Sequence, residues 1–364
     1  MPKLRLGTCA FVTGLSPASH FFPRTDAMFP FRATVNPVVT RFHNFGPGTL
    51  PFRAELSLAG VRCLLSTDSK EILSCVSHWF STVRYPYPSG QPISMDVLVD
   101  SSIHRDASAK AHFRGLRHLV FATFGIEEVF AFDLLRRRVV GAISPRTASD
   151  SSFWNTQLLP IMVGVMGTTV GVVPLHSACL DRDGKGLLIA GLSGAGKSTL
   201  SVALAQREFS LVSDDWTYVS KDGNKDSLIA SGLSVPVKLL PDAVEHFAEL
   251  KACTPKESLN GELAFEVDAT KVFRSQVKSI SRPHWLIFLE RDDKPGCDFI
   301  PYDPVDARAF YERSAELLPE ELPEAAATRS EIIRMVTSGK CFRVRSGELP
   351  QTTAEAIDRF CNGA

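Results

Sequence analysis

The chain has 364 residues, a length that suits two domains. Hydrophobic residues make up 44% and charged residues 22%, which is the composition of a globular protein with a sizeable core. The 40 basic and 40 acidic side chains balance, so no overall charge attracts nucleic acid, and we expect no nucleic-acid partner.

The eight cysteines are scattered along the chain without a C-x-x-C pair. In a chain of this length that pattern is typical of reduced thiols, and it predicts a cytoplasmic protein. The first 22 residues contain only a short apolar run, interrupted by Thr13 and Gly14, so we expect no secretory signal.

The N-terminal part predicts a mixed α/β domain over residues 1–150. Residues 1 to about 45 suggest an irregular lead-in with one short strand. The segment 52–65 alternates around Gly60 and predicts a hairpin, and 69–83 has apolar residues at helical spacing. Four short apolar runs predict strands: MDVLVDSS, HLVFATFG, EEVFAFDLL and RRVVGAIS. We expect this domain to select a substrate or partner, and 143–152 to be a linker.

Residues 151–180 contain no charged side chain and are long enough to cross a bilayer. Two prolines, several glycines and several threonines interrupt the segment, which runs directly into the unit described next. A buried helix followed by a strand explains the same composition, and we expect no membrane insertion.

Strands and helices alternate in residues 151–364, which predicts an α/β domain. The predicted strands after the first hairpin are FSLVS, SLIAS, HWLIFLER and KCFRVRS. The predicted helices are 198–207, a segment near PDAVEHFAEL, two between 305 and 338, and TTAEAIDRF.

A phosphate loop, GLSGAGKST, follows the apolar run LLIA and precedes the helical run TLSVALA. This arrangement lets backbone amides and a helix N-terminus surround an anion. Lys197 is expected to neutralise the β- and γ-phosphates of ATP, and the Ser198 hydroxyl to bind Mg²⁺. The predicted ATP-binding residues are Gly191, Ser193, Gly194, Ala195, Gly196, Lys197, Ser198 and Thr199.

Two neighbouring segments are predicted to reach this loop. A hairpin centred on 181–184 places His176 opposite residues 189–191, at the mouth of the loop. The strand FSLVS returns parallel after one helix, so Asp214 and Asp215 arrive at the same sheet edge. A carboxylate there can accept a proton from an attacking hydroxyl or hold a metal ion. A structural histidine and a polar turn at the two acids are the alternatives.

Several phosphate-loop classes are excluded. The GTPase motif N-K-x-D is not met, because Asn224-Lys225-Asp226 has the wrong spacing. The L-S-G-G-Q signature of transporter ATPases and the H-R-D and D-F-G motifs of protein kinases are also absent.

Residues 175–215 resemble the nucleotide-binding core of the HPr kinase/phosphorylase family. In that family a histidine lies fifteen residues before the first loop glycine, as His176 precedes Gly191. An acidic pair follows the loop lysine by seventeen and eighteen residues, as Asp214 and Asp215 follow Lys197. The resemblance implies a serine kinase with a mixed sheet like that of phosphoenolpyruvate carboxykinase, and a homo-oligomer.

The same resemblance implies the roles of individual residues. Asp214 becomes the catalytic acid/base, Lys197 a phosphate contact and His176 an active-site residue. Ser198 contacts the metal, and we assign Asp215 to catalysis and to the metal site as well.

This chain departs from the family pattern at two places. Thr199 stands where the family usually has Glu, and the stretch E-[IV]-R-G-x-G is missing between 216 and 280. In the family, that stretch is associated with the dephosphorylation reaction and with HPr as the substrate. Glu262, Glu266 and Glu290 are possible replacements for its metal-binding Glu.

The favoured interpretation is therefore an ATP- and Mg²⁺-dependent kinase. Its acceptor is a serine-type hydroxyl of a protein, a peptide or a small molecule, and HPr is not expected. A nucleotide-binding adaptor without phosphotransfer, and ATP hydrolysis coupled to motion, are the alternatives.

Overall fold

The computed structural model describes residues 50–80, 91–105, 111–223, 226–233, 236–258, 262–314, 318 and 320–363. The short strand expected before residue 45 and the end of the helix expected over 69–83 lie outside these ranges. The described residues form two large β-sheets and one small sheet, with helices packed on the large ones.

Within those ranges, the first sheet has the strand order β1-β2-β3-β7-β6-β5-β4. The pairs β2–β3 and β3–β7 are parallel, and the other neighbours are antiparallel. The predicted hairpin and the four predicted strands are confirmed, and β4 was missed because its side chains are mostly exposed. The strands are β1 (Phe52–Leu58), β2 (Val61–Thr67), β3 (Ile93–Val99), β4 (Ala111–Leu116), β5 (Leu119–Phe124), β6 (Glu128–Asp133) and β7 (Arg138–Ile143).

One face of this sheet is covered by helices. Helix α1 is Lys70–Cys75 and α2 is Pro145–Ala148, so the predicted linker is a packed turn with Ser144 as its N-cap. Helix α3 runs through Ser151–Phe153, a π-helical turn Trp154–Leu158, and Leu159–Met166. The uncharged segment is thus a buried helix followed by a strand. Among the described residues, no helix is long and apolar enough to cross a membrane.

The second sheet carries the phosphate loop. In the described chain its order is β11-β9-β10-β17, continued by β19 and β18, and a branch β13-β12-β8 leaves the start of β17. Strands β10, β17 and β19 are parallel. The bounds are β8 (Val173–His176), β9 (Ala178–Arg182), β10 (Lys185–Ala190), β11 (Ser210–Ser213), β12 (Trp216–Lys221), β13 (Leu228–Ser231), β17 (Ile280–Arg291), β18 (Cys297–Pro301) and β19 (Lys340–Ser346).

Helices cover both faces of the second sheet. Two 3-10 turns, at 241–245 and 248–252, replace the helix predicted near PDAVEHFAEL. The helices are α4 (Lys197–Ala205), α5 (Ala269–Val272), α6 (Pro304–Ser314), α7 (Pro323–Thr337) and α8 (Pro350–Gly363), and the small sheet has β14 (Val237–Leu239), β15 (Lys256–Glu257) and β16 (Leu263–Val267).

Alternation along the central strands explains this layering, because successive side chains point to opposite faces. On β10, Leu187 and Ile189 pack towards α4 and α8, whereas Leu188 packs towards α6 and α7. The predicted α/β fold, with a phosphate-loop unit on a mixed sheet after a mixed α/β unit, is confirmed. The division at residue 150 stays a prediction; α3 shares one apolar core with the first sheet.

Candidate active site

The phosphate loop joins β10 to α4 and uses glycine where the backbone requires it. Gly191, Gly194 and Gly196 have φ angles of 155°, 80° and 94°. A Cβ atom at Gly191 would lie 2.7 Å from the Leu289 carbonyl oxygen, so a side chain cannot fit there. Gly196 caps α4 without any side-chain hydrogen bond to the first turn. The first amides of α4 therefore remain available to an anion.

Lys197 is the first residue of α4, and its side chain folds back over the loop. Its Nζ donates to the carbonyl oxygens of Gly191, at 3.0 Å, and Leu192, at 3.3 Å. Burial lowers the pKa of this lysine, and the charges of Asp215 and Asp214 act in the opposite direction. The ammonium is thus held beside the loop by carbonyl groups that a phosphate can replace.

His176 does not lie opposite residues 189–191, as the hairpin geometry had predicted. The ladder between β9 and β10 ends at the pair Ala178–Ile189, and His176 pairs with Trp216 on β12 instead. The chain changes strand partner at Ser177, so β8 and β9 belong to different parts of the sheet. The prediction assumed one uninterrupted strand.

His176 reaches the site through Asp215. Its Nε2 lies 2.9 Å from Asp215 Oδ1, and its ring stacks on Trp216 with centroids 5.3 Å apart. Partial burial tends to raise the pKa of Asp215. Hydrogen bonding and charge from His176, with the charges of Lys197 and Lys238, outweigh that effect and hold the pKa below its usual value. Asp215 is therefore a charged carboxylate.

Asp214 has the opposite environment. It is 7% exposed, and its Oδ2 accepts a hydrogen bond from the Lys238 amide at 3.2 Å. Burial and the nearby Asp215 charge raise its pKa to about 7, although the Lys238 amide, the Ser198 hydroxyl and the Lys197 ammonium lower it. Oδ1 is buried without a hydrogen-bond partner in the described part of the chain. A buried unpaired carboxylate oxygen is costly unless a ligand supplies its partner.

The two adjacent carboxyl groups therefore have different pKa values, raised for Asp214 and lowered for Asp215. Such a difference allows one carboxyl group to exchange protons while the other remains charged. Asp214 can exchange a proton near neutral pH, whereas Asp215 stays ionised. The structure brings His176, Lys197, Ser198, Asp214 and Asp215 together at the carboxyl edge of the sheet.

These residues could bind a magnesium ion that is also bound by the phosphate oxygens of a nucleotide. Mg²⁺ is usually held by one or two carboxylates, phosphate oxygens and water. Ser198 and Asp215 supply oxygen donors of that kind, beside the buried carboxyl group of Asp214. In the described residues, no group of three or more His, Cys, Asp or Glu side chains forms a separate metal cage.

The three glutamates considered as replacements lie in different places. Glu262 forms an ion pair with Lys238 Nζ at 2.7 Å, and Glu266 pairs across the small sheet with Lys238. Glu290 forms ion pairs with two arginines on β19. Glu262 and Glu266 are therefore connected to the Asp214 region through Lys238, whereas Glu290 is engaged within the sheet.

A chain of buried hydroxyl groups holds the two parts of the site together. Thr217 Oγ1 donates to the Ser177 carbonyl oxygen at 2.7 Å and lies 2.6 Å from Ser213 Oγ. Ser177 Oγ in turn lies 2.7 Å from the Tyr311 hydroxyl on α6. Ser177 follows His176 and Ser213 precedes Asp214, so these bonds fix the backbone on both sides of the acidic pair. Sequence reasoning missed them because no motif marks the four residues.

Comparisons with known proteins find similarity over part of the chain. No protein-family model matches the chain. Over 106 residues it is 30% identical to the HPr kinase/phosphorylase of Bacillus mycoides (strain KBAB4). It is 29% identical to that of Bacillus cereus (strain G9842) over the same length. Over these 106 residues the chain is similar to HPr kinase/phosphorylase. The predicted resemblance is confirmed.

The matched segment is 29% of this HPr kinase-like chain, and it spans 30% of the length of each of those two relatives. Among solved structures, the HPr(Ser) kinase/phosphatase from Coxiella burnetii matches 52% of the chain and 97% of its own length. The sequence identity is 16% and the TM-score is 0.28. The α/β fold described above rests on the strands and the loop of this chain itself.

Proposed function

We propose that this HPr kinase-like protein transfers the γ-phosphate of ATP to a serine-type hydroxyl, with Mg²⁺ bound to the phosphates. The observation that carries the proposal is the placement of Asp214. It is a buried carboxyl with an unpaired oxygen and a pKa of about 7, in the same cluster as the lysine of a phosphate loop.

In the proposed reaction, Asp214 accepts the proton of the acceptor hydroxyl. The acceptor oxygen forms a bond to the γ-phosphorus, the bond from that phosphorus to the β–γ bridging oxygen breaks, and ADP leaves. Lys197 and the loop amides stabilise the negative charge on the phosphates. Ser198 and Asp215 would hold Mg²⁺, which would neutralise part of the remaining negative charge. His176 keeps Asp215 ionised and oriented.

The pH dependence of the reaction should report Asp214. The general base must be deprotonated, so kcat/KM is expected to rise with pH through about 7 and then level off. The measurement is kcat/KM across neutral pH with saturating Mg²⁺. In Asp215→Asn, the like charge that raises the Asp214 pKa is removed, and the rise in residual activity should move to lower pH. A flat profile in the parent, or an unmoved rise in the variant, would contradict this role.

We propose that the acceptor is not HPr, and that residues 1–150 select it. The family stretch associated with HPr and with dephosphorylation is missing between 216 and 280. With HPr and ATP, we expect far slower phosphoserine formation than with the Bacillus cereus HPr kinase/phosphorylase assayed in parallel. Rapid, stoichiometric phosphorylation of HPr by this chain would show that the missing stretch is not needed.

A further inference from the structure

Arg291 lies beside the phosphate loop, although no motif marks it. It is the last residue of β17, which is the parallel neighbour of β10. The loop that follows β10 packs against the end of β17, where Gly191 lies next to the Leu289 carbonyl group. A Cβ atom placed on Gly196 would lie 3.7 Å from Arg291 Nη2 and 3.9 Å from Nε. The guanidinium group therefore packs against the glycine that caps α4.

The charge of Arg291 is not compensated within the described residues. The side chain is exposed and forms no ion pair or hydrogen bond there. The neighbouring acids are engaged elsewhere: Glu290 contacts Arg343 and Arg345, each at 3.2 Å, and Asp292 accepts from the Lys294 amide at 3.1 Å. An arginine is always protonated, so a permanent positive charge stands next to the loop.

The strand order indicates which phosphates this charge can meet. Along the edge β11-β9-β10-β17, Asp214 follows β11 on one side of the loop, and Arg291 follows β17 on the other side. The general base must lie next to the phosphate that is transferred. A nucleotide across the loop therefore presents to Arg291 the phosphates that remain with ADP.

We propose that Arg291 binds the non-transferred phosphates of the nucleotide through its guanidinium group. The inference rests on the proposed kinase function and adds a binding residue to it. Guanidinium groups suit this task because they present several N–H donors to phosphate oxygens in a fixed geometry. Arg291 should then act in ground-state binding, and Asp214 in the chemical step.

Arg291→Gln tests the proposal by calorimetry with Mg-ATP and with Mg-ADP. We expect both affinities to fall about tenfold, because a hydrogen bond to a charged group is lost in each complex. In turnover assays, KM for ATP should rise with little change in kcat. The matched control is Arg345→Gln on the adjacent strand, which removes the same charge from a residue paired with Glu290 and should bind nucleotide like the parent.

The outcomes separate this inference from the proposed function. If the parent protein does not bind Mg-ATP, the kinase proposal itself fails. If the parent binds nucleotide and Arg291→Gln binds both nucleotides equally well, Arg291 is not a phosphate ligand, and the kinase proposal stands. If only ATP binding weakens, or kcat falls at unchanged KM, the assignment to the non-transferred phosphates is overturned. An unchanged melting temperature of Arg291→Gln excludes misfolding as the cause.

Discussion

Asp214→Asn is expected to lower turnover by roughly 10²–10⁴-fold, the usual contribution of a general base, while ATP affinity changes little. The substitution keeps the shape of the side chain and the hydrogen bond from the Lys238 amide, but removes the basic oxygen. Turnover can be followed as ADP release in the presence of a cell extract or serine-containing peptides, with nucleotide binding measured alongside.

Asp215→Asn is the matched control for this experiment. It should reduce turnover less, because Asp215 is expected to support His176 and the metal rather than to take the proton. If Asp214→Asn turns over like the parent and Asp215→Asn is inactive, the roles of the two residues are reversed. If both variants keep full turnover, the protein is not a kinase of this type, and the nucleotide-binding adaptor becomes the better explanation.

Asp214→Asn should also be more stable than the parent at alkaline pH. The pKa of Asp214 is higher in the folded protein than in the unfolded chain, so the folded state holds the proton more tightly. This residue's contribution to the free energy of unfolding therefore falls as pH rises from about 4 to about 7. Asp214→Asn removes that penalty, and its melting temperature should exceed that of the parent at pH 8 but not at pH 4. An equal difference at both pH values would contradict the raised pKa.

Lys197→Ala should weaken ATP binding by about tenfold or more, since a charge-assisted hydrogen bond to phosphate contributes on the order of 1.5–3 kcal/mol. In the described residues the hydrogen bonds of Lys197 Nζ go to the loop carbonyls of Gly191 and Leu192, so the substitution removes no bond between distant parts of the fold. Isothermal calorimetry with Mg-ATP gives the affinity.

Lys185→Ala provides the control for Lys197→Ala. Lys185 begins the same strand, β10, at the opposite edge of the sheet, where its Nζ lies over the Trp285 ring. This variant should bind ATP like the parent. Unchanged ATP binding in Lys197→Ala would remove the basis for a nucleotide at this loop.

The fold and much of the candidate site could be predicted because they depend on local patterns. The loop glycines have positive φ angles, as the phosphate-loop motif requires. Short apolar runs in the sequence predicted the strands that end just before Asp214 and just before the loop. The pairing partner of His176 could not be predicted, because it depends on the change of strand partner at Ser177. The Lys238 amide lies 24 residues beyond Asp214 and has no side-chain signature. Arg291 is one exposed arginine among many in the sequence.

The route of the chain from α3 to His176 has a practical consequence for anyone dividing this protein. Phe153, Trp154 and Leu158 of α3 lie in the core of the first sheet, and Tyr218 of β12 belongs to the same core. After α3, one 3-10 turn over Gly167–Val170 and two further residues lead to β8, which ends at His176. A fragment cut at residue 150 would begin with α3, whose apolar side chains would then be exposed to solvent, a short distance along the chain from the strand that carries His176. A usable fragment must either keep the first sheet or resurface α3 with polar side chains.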